Sequence, residues 1–135
     1  MYKNILVPVA FDHDQSPDAA LAVAAKLADK GARITLLHVM EEVPAYAIDY
    51  LPEGYMQNLG EAIEAELAAL AAKSPGVTPA LARGAAGPAI LAWAEDNEAD
   101  CIIIASHRPG LSDFFLGSTA SRVVRHAKCA VHVLR

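Results

Sequence analysis

Ser106, His107 and Arg108, followed by Gly117, Ser118 and Thr119, are the residues of this chain best suited to chemistry. Hydroxyls, an imidazole, a guanidinium and a glycine are phosphate-binding types. Glycine lets an oxyanion approach the backbone closely. The free amides at a helix start, at the positive end of its dipole, make an anion site. These residues stand between two apolar runs, Cys101 to Ala105 and Cys129 to Leu134. The order reads as buried strand, polar loop, helix, buried strand, and it points to a phosphorylated ligand, a nucleotide first among them.

Plainer roles stand beside these. Gly117 can serve only as a turn residue and Ser118 only as a helix N-cap. Arg122 and Arg125 read as solvated residues near a helix end. His38 and His132 alternate with apolar neighbours and read as packing residues. His13, His107 and His126 lack metal-ligand spacing, so no metal site is expected. Tyr46, Tyr50 and Tyr55 cover either a pocket or a partner surface. Cys101 and Cys129 read as buried, reduced, small hydrophobic side chains. If the two runs are parallel neighbours, their thiols could lie close enough for a disulfide under oxidation, but no CxxC motif supports redox chemistry.

The elements that must position these residues alternate along the chain. Asn4 to Val9 reads as a strand. Ser16-Pro17-Asp18 starts a helix with a Ser cap, Pro in the first position and an early acid; it runs to Lys30, and Gly31 ends it. Arg33 to Val39 is a second strand. Glu41 to Met56 is loop-like, and Gln57 to Lys73 is helical. Val77 to Arg83 is a strand whose Pro79 cannot donate to a ladder, which assigns it to a sheet edge. Pro88 to Asn97 is a short helix. The resulting order, β-α-β-α-β-α-β-α-β, implies a parallel sheet with right-handed crossovers. Ligands of such sheets sit beyond the carboxyl ends of the strands, where the winding reverses.

At 135 residues, with 54% hydrophobic content, the chain is expected to form a single domain over 1–135. A net charge of −5 argues against nucleic acid as a partner. No apolar run is long enough to span a bilayer, so no membrane role and a cytoplasmic location are expected.

Taken together, Lys3-Asn4-Ile5-Leu6-Val7-Pro8-Val9, Leu37-His38-Val39, Gly84, Ile103-Ile104-Ala105-Ser106-His107, Leu116-Gly117-Ser118 and Val131-His132-Val133 resemble the universal stress protein family over the whole chain. The resemblance implies an α/β, Rossmann-like fold. It is a doubly wound five-stranded parallel sheet of order 3-2-1-4-5, with helices on both faces. It also implies binding of an adenine nucleotide, ATP or AMP, with Mg accompanying ATP. Pro8, Val9, Ala10 and Val39 would frame the adenine, largely through main-chain groups. Ser106, His107 and Arg108 would line the ribose and phosphates, and Gly117, Ser118 and Thr119 would bind phosphate oxygens. A homodimer through the last strand, Cys129 to Leu134, is implied as well.

The chain departs from the family's Gly-x-x-Gly, nine residues, Gly-Ser/Thr pattern. Ala105 and Arg108 occupy the two glycine positions, the loop is one residue shorter, and Ala10 stands where many members have Asp. A sub-branch with a similar Ala-Ser-His-Arg-Pro loop is also credited with adenine-nucleotide binding. There Arg108 offers phosphate a charged fork.

Other classes fare less well. No GxSxG elbow or GxxxxGK[ST] loop is present, so a dedicated enzyme is not expected, although slow ATP hydrolysis is compatible. A response-regulator-like domain would need a Lys after strand five and a closing helix. A family member that has lost its nucleotide and acts as a protein-interaction module is the remaining alternative.

Overall fold

The computed structural model describes residues 1–10, 16–106 and 116–135. Strands β1 (Tyr2–Pro8), β2 (Ala28–Met40), β3 (Val77–Arg83), β4 (Cys101–Ala105) and β5 (Ala130–Leu134) form one sheet in the order β3-β2-β1-β4-β5. All four pairings are parallel. Pro79 lies in the edge strand β3, as its missing donor requires.

Helices α1 (Asp18–Leu27) and α3 (Tyr55–Ala72) cover one face, and α4 (Ala86–Asp96) and α5 (Ser118–His126) the other. Strand alternation divides the apolar residues accordingly. Ile5, Val7, Leu36 and Ile103 pack with Leu21, Ala24 and Leu67. Leu6, Leu37, Ile102 and Ile104 pack with Ile90, Ala94 and Val123. The winding direction therefore reverses between β1 and β4, where a cleft must open.

Several boundaries differ from the sequence expectation. The first helix stops at Leu27 rather than Lys30, because Ala28 pairs with Tyr2 and Asp29 receives the N-terminal ammonium. Pairing thus overrides helix propensity. Gly31, with φ of 80°, turns the chain within β2, where the register jumps between Tyr2–Ala28 and Asn4–Arg33. Pro17, not Ser16, is the cap of α1: its carbonyl accepts the Leu21 amide at 2.9 Å. The Ser16 hydroxyl accepts the Asp18 amide at 3.2 Å.

The stretch expected to be loop-like contains a short helix, α2 (Ala45–Ile48), and its last residues already belong to α3. Helix α4 begins two residues before Pro88, which its first turn tolerates because those amides lack intrahelical partners.

One packing expectation fails. His132 is exposed, since its face of β5 lies at the sheet edge. Cys101 packs in the α1/α3 layer and Cys129 against the α4/α5 layer, so neighbouring strands do not bring the thiols onto one face. Burial, then Cys129 and Asp100, push the Cys101 thiol up to about 11. Burial raises Cys129 too. Both thiols are thereby held protonated and unreactive near neutrality.

Candidate functional site

A cleft of about 640 Å³ opens beyond the carboxyl ends of β1, β2 and β4. Pro8, Val9 and Ala10 form its floor where β1 ends, and Val39 bounds it at the end of β2. Ser106 follows β4, and Gly117, Ser118 and Thr119 supply the opposite wall. The fold thus brings eight of the expected site residues together. The other two, His107 and Arg108, lie outside the described residues.

The two ends of the cleft present different chemistry. In a parallel ladder, alternate residues direct their main-chain groups to the same neighbour. The Leu37 carbonyl accepts the Val9 amide at 2.8 Å, so Leu37 faces β1. Val39, two residues on, turns its N–H and C=O to the same side, past the Pro8 end of β1. A donor and an acceptor therefore face the cleft side by side.

At the opposite end, α5 begins. Its first helical bond runs from the Ser121 amide to the Gly117 carbonyl at 2.9 Å. The amides of Ser118, Thr119 and Ala120 precede that bond and have no intrahelical acceptor. Gly117 itself, rather than Ser118, is the cap residue, so the Ser118 hydroxyl is not used as a cap. Gly117 has φ of −60° and ψ of 158°, a conformation open to any residue. Among the described residues, a Cβ there would meet only the Ser106 carbonyl, at 3.7 Å. Neither the backbone nor the described neighbours require glycine at this position.

Two expected contact residues are already engaged. The Ser106 amide and hydroxyl both donate to the Leu134 carbonyl, at 2.8 and 3.1 Å, and the residue is 5% exposed. Ser106 extends the β4–β5 pairing. Val9 gives its amide to Leu37, and its carbonyl lies 2.8 Å from Nδ1 of His38. A carbonyl can only accept, so Nδ1 carries a proton there. His38 was expected to be a packing residue; instead it lines the cleft and fixes the strand-one turn.

Sequence inspection also missed the α3 wall, formed by Leu59, Ala62, Ile63 and Glu66. Its signal is faint, since these residues follow the ordinary period of a helix packed on a sheet. Glu41 and Glu66 are the charged residues lining the cleft among those described. No group of three or more His, Cys, Asp or Glu suited to a metal ion occurs among the described residues. No helix among them is long and apolar enough to cross a membrane.

A twice-wound parallel sheet with a cleft at its reversal point places the protein among the Rossmann-like α/β domains. Residues 1–135 match the model described as the Universal stress protein family, and the chain belongs to that family. A universal stress protein of Thermus aquaticus is 33% identical, with 100% of both chains covered. The fold is similar to that of a hypothetical protein solved as a test case of structural genomics. That match has 26% identity and a TM-score of 0.81, covering 99% of this chain and 96% of the other.

The universal stress protein UspA from Lactobacillus plantarum is 27% identical, with a TM-score of 0.71 and 99% and 98% coverage. Two more distant structures share the fold and were solved as complexes. One is a universal stress protein with cAMP, at 19% identity, TM-score 0.62 and coverage of 99% and 97%. The other is that of Archaeoglobus fulgidus with dAMP, at 16% identity, TM-score 0.65 and coverage of 99% and 98%. Nucleotide binding therefore occurs within the family.

Proposed function

We propose that this protein binds an adenine nucleotide, ATP or AMP, and acts as a non-catalytic regulator in the cytoplasmic stress response. The observation that carries this is the pairing of two unlike ends within one cleft. Val39 presents a main-chain donor and acceptor, the complement of adenine's ring nitrogen and exocyclic amine. The α5 start presents three amides to an anion. Family members in complex with cAMP and dAMP support the same ligand class.

The residue roles follow from what each group has left to offer. Pro8, Val9 and Ala10 shape the floor under the base, but the Val9 amide and carbonyl are committed to Leu37 and His38. Val39 reads the base. Gly117, Ser118 and Thr119 hold phosphate oxygens, and Gly117 is glycine because a ligand, not the fold, needs the space. Ser106 holds the wall together. His107 and Arg108 are assigned to the ribose and phosphates from their place in the sequence. Mg brought with ATP would rest mainly on the phosphates and water, as this small hard ion commonly does.

Catalysis has little support. The Ser106 hydroxyl donates to a main-chain carbonyl rather than to a base. Calorimetric titration with AMP, ATP and GMP tests the proposal. AMP and ATP should bind in a one-to-one ratio. GMP, whose edge reverses the donor–acceptor order, should bind at least tenfold more weakly. Absence of heat with both adenine nucleotides would refute it.

A further inference from the structure

The segment between β2 and α3 leaves the cleft rim at Glu41 and returns to it at Leu59. Among the described residues, seven large hydrophobic side chains are exposed; Tyr46, Ile48 and Tyr50 lie in this segment, and Tyr55 and Leu59 follow on the first turns of α3. Tyr46 is 81% exposed and Tyr50 88%. Helix α2 buries none of its residues. Rings left this open contribute nothing to the core, and their concentration beside a cleft calls for a function.

We propose that this segment is an aromatic lid that closes over the base when a nucleotide binds, with Tyr46 and Tyr50 supplying the covering rings. The idea rests on the nucleotide-binding function proposed above. Reach permits it. Five residues from Glu41 to Tyr46 span roughly 17 Å when extended, and three neighbouring strands span roughly 10 Å. Charge fixes which end is covered. Between Glu41 and Met56 the segment carries Glu41, Glu42, Asp49 and Glu53 and no lysine or arginine. Like charge keeps it from the phosphates at α5, while the uncharged base lies beside Val39, near the lid's attachment.

The hinges are visible. Pro44 precedes α2, and Gly54, at φ of 76°, begins α3. Closure would bury rings that are now wet and slow the ligand's departure more than its arrival, since the open form leaves entry free.

Hydrogen–deuterium exchange of residues 45–56, with and without saturating AMP, tests the lid alongside a calorimetric AMP titration. Protection of these amides on AMP binding is expected. Tyr46→Ala with Tyr50→Ala should speed AMP release roughly ten- to a hundredfold, the effect of losing a base-stacking ring. Tyr46→Phe with Tyr50→Phe should preserve release, because the ring rather than the hydroxyl covers the base. AMP binding without protection would overturn the lid and leave nucleotide binding standing. Absence of AMP binding would overturn both. Protection that rises with protein concentration without AMP would overturn the lid in favour of a surface shared between two copies.

Discussion

Nδ1 of His38 lies 2.8 Å from the carbonyl oxygen of Val9, tying the second strand to the point where the first strand leaves the sheet. Ala10 and the start of the cleft floor follow directly from this contact. His38→Ala would leave a half-buried carbonyl without its donor, at a cost of about 1–3 kcal/mol. Urea denaturation should show that loss, and calorimetry should show weaker AMP binding. Unchanged stability and affinity would mean that the floor holds its shape without the imidazole.

The Cys101 thiol yields a prediction about alkaline pH. Its value rises from 9.0 unfolded to about 11 folded, chiefly through burial. Below 9 both states keep the proton and the contribution is intact. Between 9 and 11 the unfolded thiol ionises while the folded one does not, so stability falls as pH rises. The loss is about 2–3 kcal/mol at most. The difference in unfolding free energy between the parent and Cys101→Ala should shrink over that window. A constant difference from pH 8 to 11 would contradict the assignment.

Strand β5 borders the sheet on one side only, leaving an edge able to pair with a second copy. Val131 and Val133 pack against the α4/α5 layer, so charges placed there would injure the fold as well as a dimer. Main-chain alternation offers a cleaner probe. The Leu134 carbonyl faces β4, which turns the Val133 amide outward. Val133→Pro removes that outward donor without breaking a β4–β5 bond. Light scattering should show the parent as a dimer and this variant as weakened towards monomer, with a far-ultraviolet circular dichroism spectrum that still reports the folded sheet. A monomeric parent at high micromolar concentration would exclude the dimer.

Much of this was legible in the sequence where pattern and packing agree. The β4 run from Cys101 to Ala105 and the edge strand around Pro79 fall where their residues predict. Periodicity separated strands from helices because each face needed its own apolar set. Long-range pairing was not legible. Helix α1 stops early because Ala28 meets Tyr2, far away in sequence. Residue types at the site pointed to phosphate, but not to which groups were already engaged. In sequence Ser106 reads as available, yet the Leu134 carbonyl takes both its donors; His38 reads as core, yet its Nδ1 meets the Val9 carbonyl.

If the α5 start holds phosphate, Gly117 is kept free of a side chain for the ligand. The backbone at Gly117 and its described neighbours accept a Cβ, and the loss of a glycine cap should cost less than about 1 kcal/mol. Calorimetric titration of AMP and ATP into the parent and a folded Gly117→Val variant tests this most directly. The parent should bind in a one-to-one ratio and the variant should show no measurable binding at the same concentrations. Equal affinity in the two proteins would mean that the α5 start does not hold the phosphate.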